Sequence, residues 1–134
     1  YINCKNKREA KKIGSALVKK RLAACCNLFP IESIYRWQGK IVSDKEVVLV
    51  VKTLKKNFKR AEKEVKKIHS YKTPCILEIL IKRGNLKYLN WLRKEIPLEV
   101  HHVDGDRTNN ALENLQLICP NCHAFTPNYR GKNT

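Results

Sequence analysis

Hydrophobic and polar residues recur along this chain of 134 residues with two periods, and each change of period marks a predicted element. Three segments, 7–22, 55–69 and 86–96, place apolar residues three or four positions apart, as one buried face of a helix requires. The other segments are short apolar runs or alternate apolar with polar residues, which is typical of strands. Strands are predicted at 1–4, 25–29, 31–40, 41–53 and 75–81, with Pro30 ending the second and Gln38-Gly39-Lys40 forming a hairpin turn.

The resulting order, β-α-β-β-α-β-α, predicts an α+β fold, a ferredoxin-like βαββαβ sandwich with its helices on one face of the sheet. The opposite face is then open, and Tyr35, Trp37, Val48 and Val50 are expected to lie there in water. An exposed apolar patch of this kind marks an interface, and the long hairpin provides an edge to which another strand can add. We therefore expect the domain to assemble with copies of itself.

The formal net charge of +16 is unevenly distributed. Residues 97–134 contain three basic and four acidic side chains, which gives −1, whereas residues 1–96 contain twenty-five basic and eight acidic ones, which gives +17. A nucleic-acid-binding protein needs a basic face, and the surplus could supply one from the first ninety-six residues. The lysines also fit a simpler interpretation, as the solvated faces of the helices.

The apolar runs and the cysteines of the chain indicate its cellular location. No apolar run approaches the roughly 18 residues that a membrane-spanning helix needs, and the longest, residues 47–51, suits a buried strand. No signal peptide is visible, but the chain contains no Met, so the natural start is missing and an upstream signal stays open. Four of the six cysteines lie in apolar surroundings and two have metal-ligand spacing, which differs from a disulfide framework. A cytoplasmic location is predicted.

Four motifs within the first ninety-six residues carry a family resemblance. They are Leu22-Ala23-Ala24-Cys25-Cys26-Asn27, Ser33-Ile34-Tyr35-Arg36-Trp37-Gln38-Gly39-Lys40-Ile41, Val51-Lys52-Thr53 and His69-Ser70-Tyr71-Lys72-Thr73-Pro74. With them, residues 1–96 resemble the CutA family of divalent-cation-tolerance proteins. The resemblance implies a homotrimer whose hairpins pair across subunits and a link to copper or another divalent cation, without enzymatic activity. Ser70 departs from the family, which usually has proline there.

Several residues of this domain are candidates for sites. Cys4, Cys25 and His69 are possible copper ligands, because thiolates suit Cu(I) and imidazole suits Cu(II) or zinc. Each also has a structural interpretation, since small cysteines are common in cores and His69 ends a helix, where a cation meets the dipole favourably. Cys26 and Cys75 are expected to be core residues. The subunit interface and its cleft are expected to use Tyr35, Trp37, Lys52 and Tyr71.

The last third of the chain carries the pattern of a metal site. Its residues are, in order, His101, His102, Asn114, Cys119, Cys122 and His123. The two adjacent histidines lie on a predicted strand and so point to opposite faces. The C-x-x-C pair is half of a tetrahedral zinc site. In this order residues 98–133 resemble the HNH endonuclease family, in which a β-hairpin and a helix (the ββα-metal fold) hold one divalent cation against a phosphodiester.

That resemblance implies a role for each residue. His101 and His123 would hold a catalytic cation such as Mg²⁺, His102 would be the general base, and Asn114 would orient the hairpin or the base. The chemistry agrees, because a metal stabilises charge on the phosphate while a neutral histidine accepts a proton. The carboxylates of Asp104-Gly105-Asp106 fit loop caps better than metal ligands. Phosphate contacts are assigned to Arg107, Arg130 and Lys132.

The HNH-like segment lacks the earlier C-x-x-C that usually completes a four-cysteine zinc site with Cys119 and Cys122. We therefore predict two domains, a CutA-like one over 1–96 and a partial HNH-like one over 97–134, the latter at best a weak nuclease. The predicted function is divalent-cation (copper) binding or tolerance. Two alternatives stay open: a metal-dependent HNH endonuclease acting on DNA, scaffolded by the CutA-like trimer, and a PII-like trimer that binds a signalling effector.

Overall fold

The computed structural model describes residues 1–96 and 99–118, with the side chains of residues 99, 100, 117 and 118 left aside. The chain divides into two compact units, residues 1–96 and 97–134. The elements of the first unit are β1 (Ile2–Cys4), α1 (Lys7–Lys19), β2 (Cys25–Trp37), β3 (Lys40–Lys52), α2 (Phe58–Ile68), which a 3-10 turn (Lys55–Asn57) precedes, and α3 (Leu86–Glu95). Among the described residues, no helix has the length and apolar character to cross a membrane.

Local signals set the ends of α1. Asn6 caps its first turn by accepting a hydrogen bond from the Glu9 amide at 2.9 Å. At the other end Arg21 adopts a left-handed conformation with φ of 53°. The amide of Leu22 then bonds back to the Leu17 carbonyl at 2.9 Å, and that of Arg21 to Val18, which is the Schellman pattern that ends a helix. The predicted helices over 7–22, 55–69 and 86–96 are confirmed, shorter by three, four and one residues, respectively.

The sheet has the order β1-β3-β2, with antiparallel pairs throughout. β2 and β3, of thirteen residues each, form a hairpin whose two-residue turn has positive φ at both positions, 48° at Gln38 and 77° at Gly39. The prediction that Pro30 ends a strand is wrong, because β2 continues through it and Pro30 pairs with Val47. β2 is an edge strand, where a missing N–H can face away from the ladder.

The strand predicted over residues 75–81 is wrong in extent. This segment runs antiparallel beside β1 but makes only one bridge, Ile2 to Ile76. The Leu77 amide donates to the Tyr1 carbonyl at 2.9 Å, and the Tyr1 amino group donates to the Leu77 carbonyl at 3.0 Å. The apolar side chains beyond Leu77 are exposed, 65% at Ile79 and 75% at Ile81.

The core lies between helices α1 and α2 and one face of the sheet. Its buried members are Ile2, Cys4, Ala10, Ile13, Leu17, Leu22, Ala23, Val47, Leu49, Ala61 and Val65. The expectation that Val48 lies in water on the other face is wrong, because its side chain is fully buried. β3 is the central strand, and Asn3 and Phe29 flank Val48 from both neighbouring strands. Tyr35 and Trp37, far out on the hairpin, are exposed as expected.

Helix α1 lies close to the sheet at Gly14. A Cβ added there would meet Leu49 Cδ1 at 3.3 Å and Cys26 Cβ at 3.4 Å, which is tight packing on both strands. We expect Gly14→Val to lower the free energy of unfolding by about 1–3 kcal/mol, because overpacking outweighs the gain from removing a helical glycine. Urea unfolding measures the change. The matched variant Ser15→Val, on the exposed face of the same helix, should change stability by less than about 0.5 kcal/mol.

The second unit is described as one hairpin. β4 (Glu99–His102) pairs antiparallel with β5 (Leu115–Ile118), and a 3-10 turn (Leu112–Asn114) leads into β5. His101 lies opposite Gln116 and His102 opposite Leu115. Adjacent strand residues face opposite sides, and here His101 is buried whereas His102 is half-buried.

Candidate functional site

Cys4, Glu9 and His69 form a group in which each residue offers one metal-ligating atom, and these atoms all lie within 4.8 Å of one another. Three elements meet here: Cys4 ends β1, Glu9 lies in the first turn of α1, and His69 caps the C-terminus of α2. Cys4 faces the helices because its strand partner Val47 belongs to the same core. Cys4 and the His69 side chain have no exposed surface, and the Glu9 side chain is 10% exposed.

Both ring nitrogens of His69 have partners. The amide of Tyr71 donates to Nδ1 at 3.0 Å, so Nδ1 carries a lone pair. Nε2 therefore carries the proton and donates to the Asn3 carbonyl at 2.7 Å. This hydrogen bond is the usual support of a metal-binding histidine, which donates from its second nitrogen to a carbonyl or carboxylate. Nδ1 lies 4.0 Å from Glu9 Oε1, and it is the ring atom with a lone pair to give.

Glu9 reaches two backbone amides across a turn. Its Oε2 accepts from the Lys5 amide at 2.7 Å, and its Oε1 accepts from the Ser70 amide at 2.7 Å. Burial alone would raise the pKa of Glu9, but hydrogen bonds from Ser70 and Lys5 bring its pKa below the ordinary value. Glu9 is therefore a carboxylate at neutral pH.

The Cys4 thiol lies at the buried side of this group. Burial, together with the carboxylates of Glu9 and Glu46, raises its pKa to about 12. The thiol therefore keeps its proton at neutral pH, and an ion that binds here must displace it. The three residues fit a divalent cation in donor chemistry, with one sulfur, one imidazole nitrogen and one carboxylate oxygen. The second nitrogen of His69 is already supported in the manner such sites require.

The other cysteines lie elsewhere. Cys25 pairs with Lys52 on β3, whereas Cys4 pairs with Val47, and five residues of strand separate these positions by roughly 17 Å. The structure therefore does not bring Cys25 to the group that contains Cys4 and His69. Cys26 packs against the core with its Sγ 3.9 Å from the Gly14 carbonyl. Burial raises the pKa of Cys26 to about 11.

Sequence reasoning missed Glu9. A signal was present, because Asn6 and Glu9 have the N-cap and third-residue spacing of a capping box, in which the acidic side chain turns back past the start of its helix. That turn directs the carboxylate to the Lys5 amide, which directly follows Cys4 at the end of β1. His69 is brought to the same place only by the packing of α2, which the spacing of residues along the chain does not reveal.

The residues expected at a subunit interface are distributed over two regions. Tyr35 and Trp37 lie on the distal hairpin, where Tyr35 donates from its hydroxyl to Asp44 and Trp37 is 58% exposed. Tyr71 lies nearer the site and donates from its hydroxyl to Glu46 Oε1 at 2.9 Å. Lys52 places its ammonium 5.6 Å from the centre of the Tyr88 ring, in a cation–π contact.

In the second unit Asn114 holds the loop that joins β4 to β5. Its Oδ1 accepts from the Asp104 amide at 3.0 Å, and its Nδ2 donates to Asp104 Oδ1 at 2.9 Å and to the Asn109 carbonyl at 2.8 Å. Asn114 is buried, so these bonds satisfy a side chain that has left water. Nε2 of His102 lies 3.1 Å from Asn110 Oδ1. The loop therefore also contacts the residue expected to be the general base.

The Asp104 carboxylate caps this loop. Hydrogen bonds from the Asn109 side chain, the Asp106 amide and the Asn114 side chain lower the pKa of Asp104 below its ordinary value of 3.8. Asp106 caps the next turn through the amide and hydroxyl of Thr108, which lower its pKa as well. The carboxylates thus serve the loop, in agreement with the sequence-based interpretation.

We expect the loop to lose stability in acid. Because the folded pKa of Asp104 lies below 3.8, its contribution is fully present above about pH 4 and is lost as the pH falls through the lower folded value. Carbon-13 titration of the Asp104 carboxyl should give a midpoint below 3.8, and the Asp106 amide shift should follow it. A midpoint at or above 3.8 would contradict the prediction. In the variant Asp104→Asn, the Asp106 amide shift should no longer show the change that follows the Asp104 carboxyl.

Five of the predicted site residues, Cys119, Cys122, His123, Arg130 and Lys132, lie outside the described residues. Arg107 is described and lies exposed in the β4–β5 loop. The expected cation ligand His101 is buried in the hairpin.

Comparison with known proteins matches the two parts of the chain to two different families. A family model for the CutA1 divalent ion tolerance protein matches residues 1–95, and one for an HNH endonuclease matches residues 91–123. The divalent-cation tolerance protein CutA of Archaeoglobus fulgidus is 43% identical over 96 residues, which is 72% of this chain and 94% of that protein. The CutA protein of Thermus thermophilus is 45% identical over 94 residues, which is 69% of this chain and 91% of that protein.

Comparison with solved structures indicates the same CutA family for residues 1–96. The A. fulgidus structure, described as a periplasmic divalent cation tolerance protein, superposes with a TM-score of 0.70 at 42% identity, covering 71% of this chain and 93% of that one. CutA1 from Pyrococcus horikoshii gives a TM-score of 0.68 at 34% identity, covering 70% and 92%. The α+β fold with helices packed on a sheet is thus a CutA fold. With a family model over residues 1–95 and relatives above 40% identity, the chain belongs to the CutA divalent-cation tolerance family.

Proposed function

We propose that this protein binds a divalent cation at Cys4, Glu9 and His69, and that this binding is its contribution to cation tolerance. The observation that carries the proposal is the closeness of three different donor atoms, all within 4.8 Å, in a fold whose relatives are described as divalent-cation tolerance proteins. Three protein ligands leave a position for a further ligand. The protein thus has the means to take up an ion without being an enzyme.

The donor set favours Cu(II) or Zn(II). A single buried thiolate beside an imidazole and a carboxylate is a mixed set, whereas Cu(I) prefers several soft sulfur ligands. Hard ions such as Mg²⁺ and Ca²⁺ prefer oxygen ligands throughout and are disfavoured by the cysteine. We therefore assign the site to the borderline divalent ions, with copper in the oxidised state.

We further propose that the domain forms a homotrimer through its hairpin. Within the part of the chain that the structure describes, residues 31–37 and 40–46 form strand pairs only with each other, because β1 reaches no further than Val47. Their apolar side chains are exposed on both faces, 77% at Ile34 and 72% at Ile41 on the helix side and 58% at Trp37 on the other. A projecting apolar hairpin is stable in water when another subunit covers it.

Calorimetric titration with Zn(II) and Cu(II) tests the cation site. We expect one ion per chain, weaker binding by Glu9→Gln, and no heat with Mg²⁺. The PII-like alternative predicts instead that an adenine nucleotide binds in the cleft between subunits. Binding of nucleotide without binding of Zn(II) or Cu(II) would overturn the cation proposal.

A second candidate function, cleavage of DNA, is favoured by the C-terminal unit. An HNH endonuclease model matches residues 91–123, and Asn114 braces the loop of the β4–β5 hairpin beside His102. In this proposal His101 and His123 would hold Mg²⁺ or another divalent ion, and His102 would activate water. The basic surplus of residues 1–96 would attract DNA. Zinc held by Cys119 and Cys122 would have only half of a tetrahedral site.

Nicking of supercoiled plasmid in the presence of Mg²⁺, Mn²⁺ or Ni²⁺ separates the two functions. We expect slow cleavage at most, because misplacement of catalytic groups by about 1 Å costs on the order of a hundredfold in rate. Fast metal-dependent nicking that His102→Ala abolishes would make the nuclease the primary activity. The same activity in Cys4→Ala would show that the two sites act independently.

Location stays a sequence-based proposal. We propose the cytoplasm, where the cysteines would remain reduced and able to bind metal. The A. fulgidus relative is described as periplasmic, so fractionation of cells followed by immunodetection is the deciding measurement.

A further inference from the structure

Backbone amides of a single loop already engage the donor atoms of the cation site. The Ser70 amide donates to Glu9 Oε1 at 2.7 Å, and the Tyr71 amide donates to His69 Nδ1 at 3.0 Å. A carboxylate oxygen has lone pairs for both an amide and an ion, but an imidazole nitrogen has only one. An ion at Nδ1 and the Tyr71 amide therefore exclude each other.

The site that this loop contacts is closed to water. The side chains of Cys4 and His69 have no exposed surface, and that of Glu9 is nearly covered. Residues 70 and 71 follow His69 directly, and their amides are bound to the ligand atoms. An ion must displace at least the Tyr71 amide to be coordinated.

The loop also fixes a residue on the opposite face of the sheet. Glu46 precedes the core residue Val47 on β3, so its side chain points away from the helices. Tyr71 donates from its hydroxyl to Glu46 Oε1 at 2.9 Å, and Asn3 donates from Nδ2 to Glu46 Oε2 at 3.3 Å. Tyr71 thus contacts the site through its amide and the other sheet face through its hydroxyl.

We infer that residues 69–73 form a metal-responsive switch: an ion takes Nδ1 of His69 from the Tyr71 amide, and the loop then releases Glu46. This inference rests on the proposed cation site and adds to it the ligand atom and the element that moves. Nε2 keeps its hydrogen bond to Asn3, so the ring is held while its other nitrogen changes partner. Cation occupancy on the helix side is thereby transmitted to the sheet face that carries Tyr35 and Trp37.

Amide hydrogen exchange tests the switch. In the full chain saturated with Zn(II), we expect the Tyr71 amide to exchange about tenfold faster or more, because it has lost its acceptor. The Leu22 amide, bonded to the Leu17 carbonyl at the end of α1, is the internal control and should not change. Nitrogen-15 spectra should show Zn(II) on Nδ1 of His69 and the proton on Nε2.

The variant Tyr71→Phe provides a second test of the switch. It keeps the amide but removes the hydroxyl bond to Glu46, so releasing the loop becomes easier and Zn(II) should bind about threefold to tenfold more tightly. Lys72→Ala, an exposed change in the same loop, should leave the affinity unchanged. Stoichiometric Zn(II) binding with a fully protected Tyr71 amide, or unaltered affinity in Tyr71→Phe, would overturn the switch and leave the cation site standing. Failure of Zn(II) and Cu(II) to bind would overturn both.

Discussion

Replacing Cys4 by alanine is expected to lower the affinity for Zn(II) and Cu(II) by about a hundredfold or more. The substitution removes the sulfur donor and leaves only an imidazole and a carboxylate, and loss of even a supporting partner of a ligand typically costs ten- to a hundredfold. The fold should survive, because alanine fills most of a small buried site at the end of β1. Competition with a chromophoric chelator measures the affinity, and circular dichroism checks the fold.

Cys25→Ala is the matched control for this prediction. Cys25 is also a strand cysteine of this domain, but it lies beside Lys52, roughly 17 Å along β3 from the partner of Cys4. Its removal should leave the affinity within about twofold of the original protein. A large loss in Cys25→Ala with little change in Cys4→Ala would contradict the assignment of Cys4 and point to ligands near the start of β2.

Much of the fold could be predicted from local patterns. The three helices follow from apolar residues such as Ala10, Ile13 and Leu17, which recur at the helical period and are all buried. The hairpin follows from a turn whose two residues take positive φ. Period and turn chemistry act over a few residues, so the sequence reports them directly.

The errors concern features that depend on neighbouring strands. Pro30 continues a strand because β2 is at the edge of the sheet, where only one side of the backbone must be bonded. Residues 75–81 have the composition of a strand, but among the described residues they make a single bridge, Ile2 to Ile76. Val48 is buried because Asn3 and Phe29 lie on either side of it. Strand order and strand length decide each of these, and neither can be read from one segment alone.

Sequence analysis identified only part of the candidate site, because the site too depends on how distant segments pack together. Cys4 and His69 stand out by residue type, whereas Glu9 is one of twelve acidic residues and is singled out only when α1 is placed at the end of β1. The hydrogen bonds that fix the His69 tautomer come from the backbone of Asn3 and Tyr71. Because nearly every residue has the same backbone groups, no sequence pattern predicts these hydrogen bonds.

Charging the tip of the hairpin is expected to separate the subunits. We expect the double variant Ile34→Glu/Trp37→Glu to be monomeric at micromolar concentration, whereas the original protein should have three times the mass of one chain. Both side chains are mostly exposed within one subunit, 77% and 58%, so the change should barely affect the fold of the monomer. Light scattering coupled to size exclusion gives the mass.

The size of this effect follows from burial. An apolar side chain of this size gains about 1.5–3 kcal/mol when it is covered, which is roughly ten- to a hundredfold in association at each site. A trimer buries each position three times, and an unpaired carboxylate in the interface adds a desolvation cost. The control Val18→Glu places a charge on an apolar residue that is 40% exposed and lies on α1 instead of at the tip of the hairpin, and it should remain trimeric. If the hairpin variant stayed trimeric, or the original protein were a monomer, the hairpin would need another partner to cover it.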